Sequence, residues 1–206
     1  MKLTFLGTRG EINAGTRRHR MHSSLLVSSD RDRSVMIDCG LDWIRRLSRL
    51  HPDAIVLTHA HPDHAGGLKN GAQCPVYATA QTWIGVRSQD IETRVVIRPQ
   101  TRIKICGITF EAFPVEHSIR APAVGYRVTA AGASIFYVPD LVRIYDRTAA
   151  LRGIQYYIGA GASLTRPIPG SVEMCRLAMP PFECNWISAE RKTSTIPSIH
   201  TAGPRS

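Results

Sequence analysis

Residues 55–67 read Ile-Val-Leu-Thr-His59-Ala-His61-Pro-Asp63-His64-Ala-Gly-Gly. An apolar run ends in three imidazoles and a carboxylate within six residues, and the glycine pair that follows lets the backbone turn closely. Imidazole and carboxylate are the donors that borderline divalent cations select, and the end of a buried strand holds them rigidly. With 8 His and 9 Asp in 206 residues, a His-x-His-x-Asp-His string arises by chance on the order of once in two thousand such chains. The pattern therefore reads as a metal-binding motif rather than as exposed turn histidines. Three residues further along or before it have candidate roles. His117 follows the strand-like stretch 108–115, where a ligand or an ordinary loop histidine fits. Asp140 follows the apolar Ile135-Phe-Tyr-Val-Pro, and a ligand role and a helix N-cap role are both open to it. Asp38, after Val35-Met-Ile, reads as a residue that orients a histidine rather than as a ligand. His19, His22 and Ser23 lie in a basic N-terminal loop, where solvation and substrate contact fit equally.

The elements that must position these residues are short. Lys2 to Leu6, Ser24 to Val27, Val35 to Ile37, Ala54 to Leu57 and Pro75 to Ala78 are aliphatic or β-branched runs mostly bounded by turn residues, which predicts strands. Leu41, Ile44, Leu47 and Leu50 recur at a spacing of three and predict a helix over 41–50, with a shorter one over 79–86. A second β-rich set follows at 94–97, 102–106, 108–115, 125–129, 134–138 and 154–158, interrupted by a predicted helix over 141–151. Two successive blocks of mixed strands and helices predict an α/β protein of two packed sheets covered by helices.

The chain resembles the metallo-β-lactamase-fold hydrolases from Met1 to about Pro169. The opening Thr4-Phe-Leu-Gly-Thr-Arg-Gly10, the Ile37-Asp-Cys-Gly40 turn, the histidine motif, Pro114-Val-Glu-His117-Ser and Tyr137-Val-Pro-Asp140 stand in the family's order. The resemblance implies a four-layered αββα sandwich with a metal site at the edge where the sheets meet. It implies that His59, His61 and His117 hold one metal, that Asp63 and His64 hold a second, and that Asp140 bridges the two. It also makes Asp63 the carboxylate that orients the attacking water. Two divalent ions are expected, zinc first, with manganese or iron as alternatives. The opening Gly7-Thr-Arg-Gly resembles the phosphodiesterase branch, so a metal-activated water acting on a phosphodiester is expected. Lactone or thioester hydrolysis, and a catalytically impaired homologue, are the competing readings.

The family pattern asks for one more histidine on a late strand. The only one after His117 is His200, which has no strand before it, so the second metal shell is expected to be weakened and the fold C-terminally incomplete. No period of 2 or 3.6 runs through 171–206. Shifted by one base, Leu177-Ala-Met-Pro-Pro reads Ile-Gly-His-Ala-Ala, Cys184-Asn-Trp-Ile reads Met-Gln-Leu-Asp, and Ile199-His-Thr-Ala-Gly reads Thr-His-Cys-Gly, a strand-end motif of the family kind. The expectation is a hydrolase domain over 1–169 and an out-of-frame, poorly ordered tail over 170–206.

Composition bounds the partners. Lys and Arg number 26 against 16 Asp and Glu, a net charge of +10, with 43% hydrophobic residues; this is a globular chain, not a disordered one. No run approaches the roughly 18 apolar residues of a membrane span, and the N-terminus does not read as a secretory signal. Five cysteines, odd in number and without a Cys-x-x-Cys pair, read as reduced thiols. A cytoplasmic protein is expected. The positive charge is dispersed apart from Arg17-Arg18-His19-Arg20, so a small anionic substrate is favoured over nucleic acid, with those arginines steering it.

Overall fold

The computed structural model describes residues 1–10, 20–29, 33–118, 121–159 and, for the backbone alone, 185–188. A first sheet takes β1 (Lys2–Gly7), β2 (Ser24–Ser28), β3 (Ser34–Ile37), β4 (Ala54–Val56), β5 (Val76–Ala78) and β6 (Arg94–Val96) in that order. Its first three strands are antiparallel and the rest parallel. Parallel neighbours need crossovers; α1 (Leu47–Leu50) lies in the connection before β4, and α2 (Pro62–Ala65) in the next. α3 (Ala80–Gly85) lies in the connection to β6, and the Thr79 hydroxyl accepts from Thr82 N at 3.2 Å to cap it.

The second sheet comprises β7 (Arg102–Ile105), β8 (Ile108–Ser118), β9 (Ala121–Ala130), β10 (Ala133–Val138), β11 (Arg143–Ile144), β12 (Tyr156–Gly159) and β13 (Asn185–Ser188). The order is β11-β8-β9-β10-β12-β13, with β7 also on β8. α4 (Arg147–Leu151) precedes β12. Strand alternation sorts the side chains. Val35, Ile37 and Val56 point into the space between the sheets with Phe110, Tyr126, Val128 and Ile135. Met36, Ile55 and Leu57 pack instead on Trp43, Leu68 and Trp83 of the connections. Phe113, Phe136 and Val138 pack on Ala150 and Leu151 of α4. The result is the expected four-layered αββα sandwich.

Two predicted helices are corrected. Over 41–50 there is a 3₁₀ turn at Leu41–Trp43 and then α1, separated by Arg45 in the left-handed region at φ +63°. The chain breaks there to bury Trp43 rather than the spacing-three leucine face; Leu41 is 42% exposed. Over 141–151, Arg143–Ile144 pairs with Glu116 and Val115 as β11, and only the last turn is helical. Asp146 caps that helix, its Oδ1 accepting from Ala149 N at 3.0 Å, so Asp140 is not an N-cap. The predicted tail over 170–206 lies outside the described residues except for Asn185–Ser188, which pairs in parallel with β12.

Candidate metal centre

β4 delivers the chain directly into the motif. The backbone beyond it is tied to the other sheet, where Tyr126 Oη donates to Leu57 O at 2.9 Å and Val124 N donates to Thr58 O at 3.1 Å. Pro62 opens α2 at a position that needs no N–H donor, and this short helix turns Asp63 and His64 inward, both buried. Glycine is required beside it: a Cβ on Gly67 would lie 2.6 Å from Cys39 Sγ and from Gly40 O, and one on Gly40 would collide with Asp63 O and His22 Cβ. The Asp38-Cys39-Gly40 turn and the metal loop thus interlock, with Cys39 N donating to His64 O at 2.6 Å.

Two groups of donors converge, each with all its atoms within 4.8 Å of one another: His59, His61, His117 and Asp140, and Asp63, His64 and Asp140. In the first, His61 Nδ1 lies 3.1 Å from His59 Nε2 and 3.2 Å from His117 Nε2, while Asp140 Oδ2 is 3.5 and 3.6 Å from those Nε2 atoms. Tetrahedral ligands at zinc-like bond lengths stand about 3.3 Å apart, which matches these edges. In the second, His64 Nε2 lies 3.1 Å from Asp140 Oδ2 and 3.3 Å from Asp63 Oδ2. Neither contact has hydrogen-bond geometry: His64 Nε2 and Asp63 Oδ1 are buried and without a hydrogen-bond partner among the described residues. A lone pair facing two carboxylates is repulsive without a cation between them, so the donor set fits a divalent metal. All six sequence-predicted ligands therefore meet at one place; His117 sits within β8 rather than after it.

Asp38 organises both groups. It is fully buried at φ +63°, a conformation in which Asp and Asn are favoured over most residues. Its Oδ2 accepts from His64 Nδ1 at 2.8 Å, and its Oδ1 accepts from Thr58 N at 2.8 Å. The Thr58 hydroxyl, 2.8 Å from Oδ2, spends its single proton on Asp38. It must then accept from His59 Nδ1, 3.0 Å away. In their neutral forms both histidines are thereby fixed with Nε2 unprotonated and turned to the donor cluster.

Charge follows this geometry. Burial, and then the nearby His64, push His59 down to about 2, so it stays a neutral imidazole. Burial lowers His117 as well, with Asp140 opposing. With no cation in the cluster, the burial of His64 is outweighed by Asp38, Asp140 and Asp63 and its pKa is raised: a proton on Nε2 stands where a cation would. Burial would raise the Asp140 and Asp63 carboxyls, but the close approach of the His64 imidazole holds both below the ordinary carboxylate range. Burial raises Asp38, against the pull of His64.

His22, which the sequence left undecided, is buried beside the centre. Its Nδ1 is 2.8 Å from Asp42 Oδ2, which also pairs with Arg9 at 2.5 Å. The signal for this in the sequence was weak, because Asp42 lies twenty residues away. His19, Arg17 and Arg18 fall outside the described residues.

A two-sheet αββα scaffold that gathers a histidine and aspartate cluster defines the class of fold to which the chain belongs. Residues 33–172 match the Beta-lactamase superfamily domain, and the chain belongs to that family. It is 27% identical over 186 residues to Ribonuclease Z of Methanopyrus kandleri, an alignment covering 80% of this chain; the chain spans 63% of that relative's length. Among solved structures it is similar to Zn(2+)-bound PqqB from Methylobacterium extorquens (TM-score 0.63, 19% identity, 77% of this chain and 72% of that one). It is also similar to a diphosphatase from the PhnP family (TM-score 0.57, 25% identity, 76% and 72%).

Proposed function

We propose that this protein is a metal-dependent hydrolase of phosphodiesters. The observation that carries the reading is the convergence of six side chains around His64 Nε2 and Asp63 Oδ1, buried atoms with no hydrogen-bond partner among the described residues. His59, His61, His117 and Asp140 would hold one divalent ion, and Asp63, His64 and Asp140 a second; the imidazole-rich donor set suits zinc. Bound there, such ions lower the pKa of water and neutralise charge on a phosphoryl group. The chain's own residues do the rest. Asp38, through His64 directly and through Thr58 to His59, keeps both imidazoles in the tautomer that presents a lone pair. Asp63 presents Oδ1 as the acceptor that orients an attacking water and takes its proton. The net charge of +10 draws a small anionic substrate toward the site.

The named relatives, a Ribonuclease Z and a diphosphatase, support phosphorus-centred chemistry. Cys39, Cys74 and Cys106 form no disulfide among the described residues, in keeping with the cytoplasmic setting we propose; separately, no helix among the described residues is long and apolar enough to cross a membrane. The end of the family match at residue 172 supports a hydrolase domain over 1–169, with 170–206 read from a shifted frame. Turnover of bis(p-nitrophenyl) phosphate tests the function: the zinc-supplemented protein hydrolyses it, and a chelator abolishes the rate. Undiminished turnover after the metal is stripped, or turnover of lactone probes alone, overturns the reading.

A further inference from the structure

A cavity of about 460 Å³ adjoins the donor cluster, and His117 itself forms part of its wall. That volume lies in the range of small-molecule sites, roughly 300–1,000 Å³. Three prolines, Pro99, Pro114 and Pro122, give it stiff apolar walls, and Tyr145 stands at its side 61% exposed. Tyr145 is held in place by its backbone: Tyr145 N donates to Pro114 O at 3.5 Å, and the preceding Ile144 pairs with Val115. The Arg143 guanidinium lies 5.5 Å from its ring centroid. Thr79 and Gln81 add polar groups for orientation.

The charge of this cavity is out of keeping with the chain. Among the described residues of a protein carrying +10, the lining holds no lysine or arginine. Its one carboxylate, Glu116, is paired with Arg143 at 3.2 Å. A second phosphate placed here would find Arg143 already engaged by Glu116 and no cation in the lining itself, whereas an uncharged planar ring would meet proline and tyrosine surfaces at little desolvation cost.

We infer that this cavity is the specificity pocket for one ester group of the substrate, and that the group is an uncharged ring system of nucleoside type. The substrate class is then a small phosphodiester with a single phosphate next to a nucleoside, not a polynucleotide lying along the cavity. This inference rests on the phosphodiesterase reading above.

The test compares thymidine 5′-(p-nitrophenyl) phosphate with methyl p-nitrophenyl phosphate, which release the same p-nitrophenolate and differ only in the other ester group. The zinc-loaded protein is expected to prefer the thymidine ester in kcat/KM by roughly 5- to 150-fold, the range that stacking one base gives. In Tyr145→Ala that ratio collapses toward one, while Tyr145→Phe keeps it. A ratio near one in the unaltered protein, or a ratio unchanged in Tyr145→Ala, overturns the pocket and leaves the hydrolase standing. If neither ester is cleaved, the hydrolase reading fails, and the pocket is judged by saturation-transfer NMR with thymidine itself. Binding that disappears in Tyr145→Ala then supports the pocket; absent binding, or binding indifferent to the substitution, overturns it.

Discussion

Replacing Asp38 by Asn changes one oxygen to an NH₂ group and leaves size and backbone preference alone, since Asn tolerates the φ of +63° as Asp does. The consequence is large because of what Asp38 faces. With the amide oxygen kept on Thr58 N, the amide nitrogen takes the Oδ2 position, 2.8 Å from both Thr58 Oγ1 and His64 Nδ1. It donates there, so His64 Nδ1 must accept and its proton moves to Nε2. The Thr58 hydroxyl keeps an acceptor, since it lies 3.0 Å from the Oδ1 position that the amide oxygen holds, so it still accepts from His59 Nδ1 and His59 keeps its tautomer. The group of Asp63, His64 and Asp140 then loses its one imidazole lone pair, while His59 in the other group keeps its own. Losing an orienting partner costs about 10- to 100-fold in metal affinity, or about 1.4–2.7 kcal/mol, and here the step that fills the His64 group is expected to weaken. Without metal, the lost charged hydrogen bond costs about 1–3 kcal/mol, a fall of roughly 2 to 12 °C in Tm for a chain of this size. Competitive titration of zinc against a chromophoric chelator, with thermal melting of the metal-free protein, reads both quantities. Two binding steps of wild-type affinity, or a loss confined to the tighter step while the weaker one is unchanged, would refute the tautomer argument, even if the melting temperature fell.

Other expectations follow from the same contacts. His117→Ala, at a partly exposed position of β8, should leave a folded protein with one zinc fewer per chain by atomic emission. Tyr126→Phe removes the bond that ties Leu57 O to the second sheet and should cost about 1–3 kcal/mol in chemical denaturation, because a buried acceptor is left unpaired. Gly67→Ala drives a methyl group against Cys39 Sγ and Gly40 O and should destabilise by about 1–3 kcal/mol, with weaker zinc binding as the two turns separate. Sequencing the source DNA across codons 165–206 should reveal a frame change near residue 170; an intact frame would remove that proposal.

The candidate metal loop was legible because its chemistry is local: four potential ligands in six residues on the end of an apolar run. His117 and Asp140 were legible as ends of strand-like stretches, although their meeting across 23 residues rested on family resemblance, not on spacing. The layer architecture followed from the alternation of short β-branched runs. What failed was decided by tertiary packing. The leucines of 41–50 have helical spacing, yet burying Trp43 breaks the helix at Arg45. The 141–151 stretch looks helical, but Ile144 gains a strand partner in Val115 and the cap falls to Asp146. His22 and Asp42, and the neutral cavity beside His117, were invisible because each is assembled from segments distant in sequence.

The central claim is that these six residues hold divalent cations. Crystals of the zinc-loaded protein, measured on both sides of the zinc absorption edge, test it most directly. The expected anomalous map has one peak enclosed by His59, His61, His117 and Asp140 and a second, weaker one against Asp63, His64 and Asp140. A map with no peak at these side chains, or with zinc bound only elsewhere on the chain, would contradict it.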